Sequence, residues 1–199
     1  MCGIAGIMSI HGNHEPAWLK QQANRMVDAI TYRGPDDWGI WESDDGCCVL
    51  AHCRLSILDI SPAGHQPMHD AQQRGCIVFN GEIYNHLELG GRLRDAGISF
   101  TGHSDTEILV NGLVREGADF LTRLEGMFAL AYYDRERREL LLARDPFGEK
   151  PLYYAEFDGL LVFASELAAL TLVPGFPARI TVDTVAHYLA FQLPVGERT

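Results

Sequence analysis

The chain has 199 residues, 47% of them hydrophobic and 22% charged, enough for one globular domain that needs no disulfide or metal staple. Acidic residues number 27 against 16 basic ones, and the formal net charge of -11 argues against a nucleic-acid or anionic-membrane partner. Cys2, Cys47, Cys48, Cys53 and Cys76 follow no regular spacing and no secretory signal precedes them, so a reducing, cytoplasmic setting is expected, and no zinc site, because no second ligand pair stands at finger spacing.

Cys2 to Met8 reads as an apolar strand. Leu19, Ala23, Met26, Val27 and Ile30 then recur at helical spacing behind Pro16, which suits a first-turn position, and this helix should end before the loop Arg33-Gly34-Pro35-Asp36. Strand-like runs follow at Trp38 to Glu42, Cys47 to His52, Leu55 to Leu58 and Cys76 to Phe79. Asn85 is placed to cap a helix that reaches Ala96, with Gly97 just past its end. Ser104-Asp105-Thr106-Glu107 has the capping-box pattern and opens a second helix through Ile108, Leu109, Leu113 and Val114.

The remainder reads as hairpins. Met127 to Tyr133 and Leu140 to Ala143 flank a basic tip, Arg135 to Arg138, expected to be solvated; Leu152 to Ala155 and Leu160 to Ala164 flank Phe157-Asp158-Gly159. A last helix, Asp183 to Phe191, leads into Pro194 to Thr199, which has the look of a linker entrance. Runs such as Phe128-Ala129-Leu130-Ala131 require sheets covered on both faces, and hairpins imply antiparallel pairing. Two packed antiparallel sheets with helices outside satisfy both conditions.

Cys2 carries a further possibility. Removal of Met1 would leave a thiol and a free α-amine on one residue, with reference pKa values of about 8.5 and about 7.7–8.0, so the amine could take the thiol's proton near neutral pH. In isolation a buried strand cysteine reads the same way.

Cys2-Gly3-Ile4, Arg33-Gly34-Pro35-Asp36, Arg54-Leu55-Ser56-Ile57, Asn80-Gly81-Glu82-Ile83-Tyr84-Asn85, Ser104-Asp105-Thr106-Glu107, Gly126-Met127-Phe128-Ala129, Arg144-Asp145 with Gly148 and Lys150-Pro151-Leu152-Tyr153, and Ala164-Ser165-Glu166 occur in one order along the chain. In that order they resemble class II glutamine amidotransferase domains, and within these the glutaminase half of glutamine-hydrolysing asparagine synthetase. The resemblance implies an α+β fold, a four-layered αββα sandwich of two antiparallel sheets flanked by helices, of the N-terminal nucleophile hydrolase type. It implies hydrolysis of L-glutamine to glutamate and ammonia through a Cys2 thioester, with residues 1–182 as the glutaminase domain and 183–199 as a helix and the start of a linker.

Glutamine presents an α-carboxylate, an α-ammonium and an uncharged γ-carboxamide. Arg54 offers a planar fork for the carboxylate, as a lysine could not, and Asp105 a carboxylate for the ammonium, although an acid in the first helical turn also complements the macrodipole without any ligand. The resemblance makes Asn80 and the Gly81 N–H an oxyanion hole and lays Leu55, Ser56, Ile57, Leu58 and Glu82 against the substrate. It assigns Arg33 to Asp36 and Arg144 to Tyr153 to the mouth of the site and to a contact surface for an ammonia-using partner. Where relatives often carry a lysine two residues after the Ser-Glu pair, this chain has Ala168.

No Ser-Gly-Gly-x-Asp-Ser phosphate loop, Walker-type lysine loop or Rossmann glycine fingerprint occurs in the sequence. The glutaminase domain is therefore expected to need no cofactor or metal, with ATP and Mg confined to a synthetase domain in cis or a synthetase subunit in trans. The chain is expected to be the excised N-terminal part of such a synthetase, with a second copy of itself, in a homodimer, among the partners considered. Three other readings stay open: an acceptor other than aspartate, a non-catalytic glutamine-binding regulator of the same fold, and an N-terminal cysteine acylase, which Arg54 and Asp105 disfavour because they suit a free amino acid.

Overall fold

Side chains alternate sides along each strand, and in the computed structural model, which describes residues 1–56 and 64–192, this alternation builds three apolar layers. One five-stranded sheet has the order β2 (Asp37–Glu42), β3 (Cys48–Arg54), β1 (Gly3–Ser9), β9 (Leu160–Ala164), β8 (Tyr153–Phe157). The other runs β4 (Met68–His69), β5 (Gly75–Ile83), β6 (Gly126–Asp134), β7 (Glu139–Arg144). Every pairing is antiparallel.

On the first sheet Ala5, Ile7, Val49, Ala51 and Val162 pack under Leu19, Ala23 and Met26 of α1 (Pro16–Asp28). On the second, Ile77, Phe79 and Leu130 pack with Leu89 and Leu93 of α2 (His86–Asp95) and with Ile108, Leu109 and Leu113 of α3 (Asp105–Glu116). Between the sheets lie Ile4, Cys48, Leu50, Cys76, Val78, Ala129, Ala131, Tyr133 and Phe163. The order of layers is helix, sheet, sheet, helix, as expected. Each large side chain buried this way contributes roughly 1.5–3 kcal/mol.

Local differences from the expected elements have physical causes. β3 runs on to Arg54 because it is paired on both sides, Cys53 opposite Gly3 and Arg54 opposite Asp37; Leu55 and Ser56 lie beyond it, and Ile57 and Leu58 fall outside the described residues. Asn85 precedes α2 without capping it, because its side chain instead donates to the Arg123 carbonyl and accepts from the Glu125 N–H. Ser104 caps α3 by accepting from the Glu107 N–H at 3.3 Å, but the Glu107 carboxylate completes no capping box: it accepts from Thr101 and Gly102 and braces the preceding loop. The basic hairpin tip is not simply solvated. Arg135 pairs with Asp44, and Arg138 lies 3.3 Å from Asp45, so the β6–β7 tip grips the β2–β3 turn of the other sheet.

After β9 come the single turn α4 (Leu167–Leu170) and, later, α5 (Val182–Phe191), none of whose residues is buried. Among the described residues no helix is long and apolar enough to cross a membrane.

Candidate active site

The inter-sheet layer is apolar along most of its length and turns polar at one end. Cys2 precedes Ile4 by two residues, Arg54 follows Leu50 by four and Asn80 follows Val78 by two, so strand alternation turns all three toward the space between the sheets. Together with Leu55, Gly81, Glu82 and Asp105 they line one pocket of about 130 Å³. Ser56 does not line it; its N–H is held instead by the Asp36 carboxylate at 2.8 Å.

Cys2 is anchored from several sides. Its sulfur lies 3.4 Å from the Leu55 N–H and 3.6 Å from the Leu55 carbonyl, and its own carbonyl accepts from Arg33 Nε at 3.1 Å. Arg33 in turn pairs with Glu166. One peptide further on, Ser165 Oγ accepts from the Ile4 N–H at 3.0 Å, and the Ser165 N–H donates to the Ile4 carbonyl at 2.8 Å. The Arg-Gly-Pro-Asp and Ser-Glu motifs thus hold the backbone on which Cys2 sits. Gly34 packs directly on β3, where a Cβ would lie 2.5 Å from the Arg54 backbone, so this close approach requires glycine.

The edge of β5 supplies hydrogen-bond donors. Phe128, opposite Gly81, turns both backbone groups to Asp145: its N–H goes to the carboxylate at 3.2 Å, and its carbonyl accepts the Asp145 N–H at 2.8 Å. Gly81 therefore directs its N–H away from β6, toward the open edge, and no partner for it is found among the described residues. A Cβ on Gly81 would lie 2.2 Å from the Met127 carbonyl, which fixes glycine here. Asn80 is only 2% exposed, yet its Nδ2 has no hydrogen-bond partner among the described residues. Buried amide donors are seldom left so, and one that faces a pocket is suited to an oxygen that arrives with a ligand.

Asp105 opens α3, and its carboxylate accepts from the Ile83 N–H at 3.0 Å. Burial pushes its pKa above the ordinary carboxylate value, outweighing the lowering by the Ile83 and Thr106 N–H groups and by His86. Arg54, itself buried, closes β3, and its carbonyl accepts the Asp36 N–H at 3.0 Å. The pocket therefore offers a cation, an anion, a thiol and two N–H donors.

Gln66, Thr106, Met127 and Lys150 also line the pocket; the sequence does not single out the first three as ligand contacts, whereas Lys150 belongs to the stretch Arg144 to Tyr153 expected at the mouth of the site. Lys150 is buried, its Nζ 3.6 Å from Met1 Sδ. The loop that carries it is built on Asp145. Burial pushes that carboxyl up, but N–H groups of Glu149, Lys150, Phe128 and Phe147 outweigh the cost and hold it below the ordinary range.

A family model for the glutamine amidotransferase domain matches residues 1–199. Asparagine synthetase B [glutamine-hydrolyzing] of Escherichia coli is 40% identical over 174 residues, covering 87% of this chain and 30% of that protein. Asparagine synthetase [glutamine-hydrolyzing] 1 of Bacillus subtilis is 34% identical over 192 residues, covering 96% and 30%. A protein named amidase chry2 from Gibberella zeae is 38% identical over 174 residues, covering 84% and 26%. The chain spans less than a third of the length of these relatives. The solved structure of glutamine phosphoribosylpyrophosphate amidotransferase from Bacillus subtilis superposes with a TM-score of 0.72 at 23% identity, over 86% of this chain and 43% of that one, a likeness of fold.

Proposed function

This chain belongs to the glutamine amidotransferase domain family, and from that premise we propose that it hydrolyses L-glutamine, with Cys2, freed of Met1, as nucleophile. The observation that carries the proposal is the convergence of Cys2, Arg54, Asn80, Gly81 and Asp105 on one pocket from both sheets and a helix. Arg54 takes the α-carboxylate and Asp105 the α-ammonium, with Leu55 and Glu82 flanking the chain of the substrate.

The α-amine of Cys2 accepts the thiol proton, and sulfur attacks the γ-carbonyl carbon. The oxygen of the tetrahedral intermediate falls to the Asn80 amide, whose Nδ2 has no partner among the described residues, and to the Gly81 N–H, which strand pairing turns away from β6. The C–N bond breaks as the ammonium of Cys2 returns its proton to the leaving nitrogen, and ammonia departs. Water, deprotonated by the same amine, attacks the γ-glutamyl thioester, sulfur leaves and glutamate is released. Behind Met1 the Cys2 nitrogen is an amide and cannot act as base.

The relatives named as asparagine synthetases support a destination for the ammonia: a synthetase domain or subunit that amidates an activated carboxylate, aspartate in the first instance, with ATP and Mg bound there. The test is ammonia and glutamate release by protein whose N-terminal Cys2 is verified by mass. Equimolar products are expected from that species, and none from Cys2→Ala or from protein that retains Met1; an active Cys2→Ala variant would sink the assignment.

A further inference from the structure

The donors assigned to the oxyanion stand on a strand that has lost its neighbour. β4 pairs with β5 only at Ile77 and Cys76, so beyond Ile77 the outer edge of β5 has no strand beside it among the described residues. Along that edge the outward backbone groups belong to alternate residues, Phe79, Gly81 and Ile83. The N–H of Ile83 goes to Asp105, and that of Gly81 is left to the site. Phe79 is held at both of its groups by side chains: its N–H donates to Gln66 Oε1 at 2.6 Å, and its carbonyl accepts from His52 Nε2 at 3.1 Å.

The Phe79 carbonyl and the Asn80 N–H are the two ends of one planar peptide unit, so whatever fixes that carbonyl fixes the plane from which the Asn80 side chain departs. His52 reaches it from the other sheet, two residues before Arg54 on β3. It is fully buried, and burial lowers its pKa to about 3, so the ring is neutral. Nδ1 has no partner among the described residues, which leaves the proton on Nε2, where the carbonyl needs a donor. Gln66 completes the arrangement by donating from Nε2 to Thr106 Oγ1 at 3.3 Å, on the helix that carries Asp105.

We infer that His52 and Gln66 are positioning residues for the reaction: a clamp on Phe79 that replaces the missing strand, aims Asn80 and Gly81, and ties the oxyanion side of the site to the strand bearing Arg54. This rests on the glutaminase reading. Ground-state binding by Arg54 and Asp105 does not pass through Phe79, so loosening the clamp should slow turnover more than it weakens binding. A displacement of about 1 Å at a reacting centre costs on the order of a hundredfold in rate.

The experiment is steady-state kinetics on protein with a verified N-terminal Cys2, comparing wild type, His52→Leu, His52→Gln and Gln66→Met. His52→Leu removes the donor; His52→Gln keeps an N–H of similar reach. Expected for His52→Leu is a kcat lower by about 10- to 100-fold with an unaltered KM for glutamine, and recovery of most of that loss in His52→Gln. A wild type that releases no ammonia overturns the glutaminase reading and the clamp with it. An active wild type overturns the clamp alone if His52→Leu keeps its kcat, if KM rises as far as kcat falls, or if His52→Gln is as slow as His52→Leu. Should His52→Leu not fold, Gln66→Met reads the same clamp from its other end, and an undiminished kcat there overturns it.

Discussion

Asn80→Ala should produce an enzyme that is crippled and yet no less stable. Asn80 is 2% exposed with an unpartnered Nδ2, and a buried donor left unsatisfied costs about 1–3 kcal/mol. Deleting the carboxamide removes that penalty. The vacated volume, on the order of 40 Å³, costs about 1 kcal/mol at roughly 24 cal/mol per Å³, and less because it opens into the pocket. Folding stability should therefore lie between unchanged and about 2 kcal/mol higher by these two terms. Turnover should fall by a factor on the order of 10² to 10³, the worth of one preorganised oxyanion donor at about 2.7–4 kcal/mol, with little change in KM. Coupled assay of glutamate release and urea unfolding on the same preparation measure both. A kcat within about fivefold of wild type would refute the oxyanion role, and a stability loss of about 2 kcal/mol or more would show that the amide is satisfied in the free protein.

Other variants test the rest of the pocket. Arg54→Lys keeps the charge and loses the fork, and the KM for glutamine should rise about tenfold; an unchanged KM would remove Arg54 from the carboxylate site. Gly81→Ala places a Cβ 2.2 Å from the Met127 carbonyl, so β6 must shift: thermal unfolding should show a loss of about 1–3 kcal/mol together with lost turnover. Because burial raises the Asp105 pKa and binding of an ammonium needs the ionised form, KM in the wild type should climb on acidification at a pH above the usual carboxylate range; in Asp105→Asn that pH dependence should vanish from initial-rate measurements. His52, with its pKa lowered to about 3 from 6.5, binds a proton in the unfolded chain first. Its contribution to stability is complete above pH 6.5 and declines toward pH 3, by up to about 1.4 kcal/mol per pH unit. Urea titrations between pH 7 and 4.5 should show that slope in wild type and a shallower one in His52→Gln.

Most of the fold was legible because strand and helix periods are local properties. Ala5 and Ile7 against Ile4 and Met8, or Ile77 and Phe79 against Cys76 and Val78, already spell two buried faces. Arg54 and Asn80 stood out differently, through the resemblance of their motifs to one family and the match of their side chains to glutamine. That both lie in frame with the apolar Leu50 and Val78 emerges only because β3 and β5 run on past His52 and Phe79. What escaped reading came from sequence-distant contacts. Gln66 precedes β4 and meets Phe79 only through tertiary packing, and the solvated appearance of Arg135 to Arg138 concealed acidic partners nearly a hundred residues upstream. Asn85 and Glu107 carry helix-start signals but spend their side chains on neighbouring loops, a choice that depends on which loops come near.

The continuity between apolar core and polar pocket also governs where this domain can change length. One residue inserted within β1, β3 or β5 would flip every side chain between it and the pocket, sending Cys53 or Phe79 inward where Arg54 or Asn80 should be. The tight turns at Asp44–Gly46, Arg135–Arg138 and Asp158–Gly159 lie at the opposite end of the strands from Cys2. Insertions there leave the inward frame intact. For a designer the two ends are therefore not equivalent: tags, loops or fused modules belong at the turn end, while the strands themselves act as rulers whose parity decides whether a nucleophile or a core residue faces the substrate.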